Sequence, residues 1–143
     1  MATQNFANHT RFVPAFHIGV LGIFTANLIF RVMRLFQGFD SERAFGLLLA
    51  IAFMLGAMYA RMFAMTVQDR VIRLEMRLRL ERLLAADLRP RIPEFSVGQL
   101  VALRFASDAE LPELARKVLD GNIQDRKTIK QMVRDWQADW LRA

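Results

Sequence analysis

The stretch that decides the fold is AFGLLLAIAFMLGAMYA, Ala44 to Ala60, running through RMFAMT into VQDRVIRLEMRLRLERLL, Val67 to Leu84. Seventeen residues without a formal charge give way to a segment with five arginines among 18 residues. No Pro or Gly interrupts the chain from Ala57 to Leu88, so nothing local stops a helix between the apolar part and the charged part. One long helix is expected, running to about Leu84. A helix that is apolar all round asks for lipid or a large protein interior, and 143 residues offer little with which to enclose it.

Working back toward the N-terminus, VPAFHIGVLGIFTANLIF, Val13 to Phe30, is a second run of 18 residues without formal charge. A membrane-spanning helix needs about 20 apolar residues. Both runs reach that length when Val32, Met33, Leu35 and Phe36 extend the first and Met62 to Met65 the second, with arginine side chains reaching toward the headgroups. The spans are expected at about residues 13–36 and 42–65. Between them, RVMRLFQGFDSER, residues 31–43, holds Gly38 to end one helix and Asp40 or Ser41 to cap the next. So short a link makes an antiparallel hairpin with both termini on one side.

Charge sets the orientation. The link carries Arg31, Arg34 and Arg43, while the opposite side carries Arg11, Arg61, Arg70, Arg73, Arg77, Arg79 and Arg82. Lys and Arg concentrate on the cytoplasmic side, so both termini are expected there. The arginines after Thr66 anchor the cytoplasmic end of the hairpin. The alternative is two buried helices of a soluble bundle.

Small residues mark how the spans pack. Ala52, Gly56 and Ala60 recur every fourth position, and Gly19, Gly22 and Ala26 give the first span a comparable face, beside Asn27. Such faces let helices approach closely. Either they meet each other within the hairpin, or one of them receives a partner span.

On a wheel of 100° per residue, Val67 to Leu84 has two apolar stripes: Val67, Val71, Leu74 and Leu78, and, roughly opposite, Ile72, Met76, Leu80 and Leu83. Arg70, Arg73 and Arg77 lie between them on one side. Asp69 with Arg73 and Glu75 with Arg79 are spaced as i, i+4 ion pairs. Two stripes need two neighbours: the chain's own C-terminal segment, and something else. The stripe of Ile72, Met76, Leu80 and Leu83, with Arg70, Arg73 and Arg77, is taken as the contact with partner or lipid.

Beyond this juxtamembrane helix (residues 66–88), Pro90 and Pro93 break the pattern, and residues 89–143 are expected to form a small helical domain packed on it. Ser96 and Gln99 fit a capping box, stapled by Phe95 and Leu100. Asp108 is placed as the cap of AELPELARKVL, ended by Gly121. Asp125 is placed as the cap of RKTIKQMVRDWQADWL, with Ile129, Val133, Trp136 and Trp140 as its apolar stripe. The N-terminal segment, residues 1–12, is polar, without a leader pattern; Asn8, His9 and Arg11 are placed to fold against the end of the second span.

Chemistry is scarce. There is no Cys and only two His, His9 and His17, and no metal-ligand spacing, phosphate loop, dinucleotide motif or nucleophile elbow. The expectation is a protein that is not an enzyme, with no metal site, no catalytic residue and no small-molecule substrate. His17, about one turn inside the first span, is costly there. It is the one candidate ligand for a haem or chlorophyll-type pigment, against a plain hydrogen-bonding role; otherwise no cofactor is expected. Nucleic acid fits the basic face less well than anionic lipid, because exposed aromatics for base stacking are lacking.

Three stretches carry a resemblance: QNFANHTRFVPAFH (Gln4–His17), VQDRVIRLEMRLRLERLL, and QLVALRFASDAELPELARKVL followed by DRKTIK. With these the chain resembles a bacterial family of small two-span membrane proteins known only as a domain of unknown function. The resemblance implies an N-terminal membrane hairpin and a cytoplasmic helical tail, and brings no activity. The functional expectation is a non-catalytic accessory or scaffold subunit docking on a larger membrane complex, energy-converting or pigment-binding, through other subunits or a second copy of itself. The alternative is a membrane-tethered module whose basic face binds anionic lipid or nucleic acid.

Overall fold

The computed structural model describes residues 5–8 and 12–139. The fold is all-α, with no strand among the described residues. A six-residue π-helical start, Ala15–Val20, leads into α1 (Leu21–Phe36); α2 follows (Ser41–Leu83), then a 3-10 segment (Arg89–Glu94), α3 (Val97–Leu103), α4 (Leu111–Asp120) and α5 (Arg126–Met132). The Ala15–Phe36 helix and α2 are long and apolar enough to cross a membrane. The chain divides into two compact units, residues 11–65 and residues 66–143 with 1–10.

In the first unit, α1 and the start of α2 are joined by a tight turn. Gly38 takes φ +151°, a value side chains other than glycine rarely adopt. Asp40 accepts from the Arg43 backbone N–H at 2.7 Å and so caps α2. The helices then lie antiparallel, touching through long side chains. Arg61 lies over the Phe16 ring at 5.1 Å, Phe24 stacks on Phe53 at 5.9 Å, and Arg31 folds over Gly46, where an added Cβ would sit 2.9 Å from its Nη1. The numbers of each pair add to 77, the constant sum of an antiparallel register. Almost nothing here is enclosed: of the most apolar window of each helix, 0% and 6% is buried, and Ala50 is the one fully buried apolar residue among the described residues of this unit.

The second unit has a conventional core. Ile72, Met76, Leu80 and Leu84 from the α2 end bury one stripe against Leu88, Ile92, Phe95 and the apolar faces of α3, α4 and α5. The capping box of α3 forms as expected. Ser96 Oγ accepts from Gln99 N at 3.2 Å, and Gln99 Oε1 accepts from Ser96 N at 2.7 Å. The Gln99 side chain, 2% exposed, completes its bonding by donating to the Ile123 carbonyl at 3.0 Å, so a buried amide is satisfied rather than a liability. Gly121 closes α4 and Asp125 caps α5 through the Thr128 N–H.

Two helix readings need correction. The expected helix over residues 126–141 ends at Met132. Glu110 takes the backbone amides of Arg134 and Asp135 at 2.9 Å each. Residues 135–137 then pair with the 105–107 turn: Ser107 N donates to Asp135 O at 3.0 Å and Gln137 N to Phe105 O at 2.7 Å. A carboxylate and an opposing backbone thus win amides that a continued helix would have kept. Ile129 and Val133 are still buried and Trp136 half-buried against Phe105; Trp140 lies outside the described residues, as do His9 and Arg11. Asp108 does not cap α4. The N-cap is Glu110, preceded by a turn in which Ser107 Oγ accepts from Glu110 N, and Asp108 bonds to α2 instead.

Candidate docking surface

From Val67 to Leu84 the two sides of α2 have opposite fates. Ile72, Met76 and Leu80 are 5%, 3% and 0% exposed, Leu83 is half-buried against the same core, and Leu84 is buried. Val67, Val71, Leu74 and Leu78 are 59%, 49%, 62% and 60% exposed. The assignment of Ile72, Met76, Leu80 and Leu83 as partner contacts is therefore corrected: the chain's own C-terminal helices cover them. The stripe left uncovered is the other one. Its spacing of four, three and four residues is the heptad pattern of a helix that packs along another helix.

Arginines border that stripe. Arg70 and Arg73 are exposed, and neither forms an ion pair among the described residues. Arg77 is half-buried, and its Nε has no hydrogen-bond partner there. The expected Asp69–Arg73 and Glu75–Arg79 pairs do not form among the described residues. Arg79 reaches across to Asp108 at 2.6 Å, where it also meets the carbonyls of Ala106 and Arg104. A fixed fork facing several acceptors is a better arrangement for guanidinium than one exposed carboxylate. Arg79 therefore belongs to the scaffold, leaving Arg70, Arg73 and Arg77 beside the open stripe.

In the first unit, the small-residue faces do not meet each other. Gly22, Ala26, Ala52, Gly56 and Ala60 are exposed and Gly19 is half-buried. A Cβ added at Gly19, Gly22 or Gly56 would have nothing within 4 Å. The inward positions of α2 are instead Arg43, Leu47, Ala50, Met54, Ala57 and Arg61, and the bulk of Phe24 and Phe53 settles the pairing. Sequence spacing found the small faces but not their direction, because both sides of each helix are apolar.

His17 closes the start of the first helix. Its Nδ1 lies 2.9 Å from the Val13 carbonyl and 3.2 Å from the Val13 N–H, and its ring stacks on Phe12 at 4.7 Å. One ring nitrogen is thus engaged with local backbone, and only the other remains to reach a metal. No group of three or more metal-ligating side chains exists among the described residues. Two clefts of the second unit are a groove of about 540 Å³ along Ser107, Glu110, Glu113 and Lys117 and one of about 400 Å³ beside Arg79 and Arg104.

The chain belongs to a family of unknown function, DUF6526, which matches residues 1–143. No curated protein and no solved structure was found to match it.

Proposed function

We propose that this DUF6526 protein is a non-catalytic subunit of the bacterial inner membrane. In this reading Ala15–Phe36 and the start of α2 form a two-span hairpin, both termini are cytoplasmic, and the end of α2 docks a partner. Support for the spans comes from two long apolar helices whose windows are 0% and 6% buried, so that among the described residues nothing encloses them in place of lipid. Support for the orientation comes from the excess of arginine beyond Arg61 over the three in the link.

The observation that carries the docking role is the exposed stripe of Val67, Val71, Leu74 and Leu78 beside a fully used core stripe. Burying a Val or Leu completely gains about 1.5–3 kcal/mol, and these four have roughly half of that still to gain. The small faces at Gly22, Ala26, Ala52, Gly56 and Ala60 suit close approach of a partner span in the same assembly. The partner is another membrane subunit or a second copy, and the role is accessory or scaffolding. The test is gentle solubilisation of native membranes followed by affinity capture and mass spectrometry, with photo-crosslinkers at Leu74 and Leu78. Crosslinks to a defined membrane protein or to a second copy are expected; a strictly monomeric, uncrosslinked chain overturns the reading.

A second reading draws on Arg70 and Arg73, exposed and without ion pairs among the described residues. They fit a basic surface held against anionic lipid, each residue contributing about 1 kcal/mol near the membrane.

A further inference from the structure

The turn between α1 and α2 contains a small basic pocket that the docking role does not use. A cavity of about 140 Å³ is lined by Arg31, Arg34, Asp40, Glu42 and Arg43. Asp40 and the turn occupy Arg43: its Nε lies 3.0 Å from Asp40 Oδ2, and its Nη1 donates to the Gly38 carbonyl at 2.8 Å. Arg31 and Arg34 have no carboxylate partner among the described residues. Glu42 lines the same cavity, yet pairs with neither. Arg31 is held inward rather than splayed toward solvent: its guanidinium fills the notch above Gly46, and its Nε is buried with no hydrogen-bond partner among the described residues.

Arg31 lies five positions before the end of α1, and Gly46 five after the start of α2. At 1.5 Å per residue both sit about 8 Å in from the turn. A buried guanidinium N–H lacking an acceptor, as at Arg31 Nε, is unfavourable, and more so in an apolar surround. What relieves it is an anion with several oxygens that can accept from two forked guanidinium groups together, which describes a phosphate group.

We propose that Arg31 and Arg34 bind a phosphate group, with Arg43 held by Asp40 as the wall of the pocket. If α1 and α2 span the membrane as proposed above, the turn lies at headgroup depth, and the group is the phosphodiester of an anionic glycerophospholipid. A phosphate ion from solution is the other source of the same chemistry. Glu42 is the repelling charge at this site.

The test uses the full chain in detergent micelles. Native mass spectrometry follows retention of phosphatidylglycerol, and a parallel titration uses inorganic phosphate. Arg31→Gln with Arg34→Gln should reduce phosphatidylglycerol occupancy by about tenfold, the scale expected from losing charge-assisted hydrogen bonds. Glu42→Gln should raise occupancy. Binding of inorganic phosphate with the same variant pattern, and none of lipid, assigns the site to the free ion. Unchanged occupancy in the Arg31 and Arg34 variant, or failure of both probes, overturns the site. Carbonate extraction of the same membranes separates the two ideas: release of the wild-type chain refutes the spans, and the inorganic phosphate titration then tests the pocket alone.

Discussion

Arg79 Nε lies 2.6 Å from Asp108 Oδ1, a bond between residues 29 apart that ties the end of α2 to the turn before α4. The rest of the guanidinium is equally committed. Nη2 donates to the Ala106 carbonyl at 2.6 Å and to Gln137 Oε1 at 2.8 Å, and Nη1 to the Arg104 carbonyl at 3.2 Å. One planar group thus holds the 104–108 turn and the segment after α5 in place. Arg79→Lys keeps the charge and loses the fork, leaving carbonyls unsatisfied. We expect it to destabilise the helices of the second unit by about 1–3 kcal/mol. Arg79→Met should cost more than Arg79→Lys. Thermal unfolding followed by circular dichroism in detergent checks both; an Arg79→Lys melting temperature equal to wild type would show that charge alone matters.

The two stripes of α2 should separate stability from association. Leu80→Ala removes a side chain that is 0% exposed, at a cost of about 2–5 kcal/mol. Leu74→Ser with Leu78→Ser changes side chains that are 62% and 60% exposed and should move stability by about 0.5 kcal/mol or less each. The same double variant should lose the captured partner, because its cost appears only where the stripe is covered. Unfolding and affinity capture on one set of membranes measure both. A Leu74, Leu78 variant that melts like Leu80→Ala would mean the stripe is internal after all.

How much of this was legible in the sequence depends on whether a feature is local. The α2 helix, its end near Leu84, the Ser96–Gln99 box and the Asp125 cap follow from residues three or four apart, and the structure contains them. The two stripes were legible as a pattern, but which one the chain covers depends on residues far away in sequence. Ile72 and Val71 are equally apolar; only the positions of α3 to α5 decide between them. The same holds for Glu110, whose capture of the Arg134 and Asp135 amides ends α5 from 24 residues away. The pocket at Arg31 was visible only as three arginines in a link. Its signal is the missing side chain of Gly46, which means nothing until the two helices are side by side.

Acid should weaken the second unit. Hydrogen bonds from the Thr128 hydroxyl and backbone N–H hold the Asp125 carboxyl below its ordinary value of 3.8. The Arg116 guanidinium does the same for Asp87, and Lys117 for Glu113. A folded-state value below the unfolded one stabilises the fold at pH above the unfolded value, and that contribution is lost as pH falls through the folded value. Wild type should therefore be flat in stability from neutral pH to about 5 and decline below about 4. Asp125→Ala should be less stable than wild type at pH 7, with the gap narrowing in the acid range. Thermal unfolding at a series of pH values reads this directly; a gap that widened on acidification would contradict the sign.

The basic side of α2 gives the last expectation. Arg70 and Arg73 are exposed with no ion pair among the described residues, and Arg77 Nε lacks a hydrogen-bond partner there, so their charge is available to a surface nearby. If it acts on anionic lipid, a chain carrying Arg70→Gln, Arg73→Gln and Arg77→Gln should still fold, because none of the three holds the core together. In vesicles containing phosphatidylglycerol, protection of residues 67–84 from protease should be weaker for the variant. For wild type the protection should fall between 50 and 500 mM salt, since the screening length shrinks from about 14 Å to about 4 Å over that range. Protection that is independent of salt, and equal in the variant, would leave the stripe of Val67, Val71, Leu74 and Leu78 as the sole determinant of what this helix meets. Loss of protection on replacing Leu74 and Leu78 alone would point the same way, because lipid attraction through arginine does not require them.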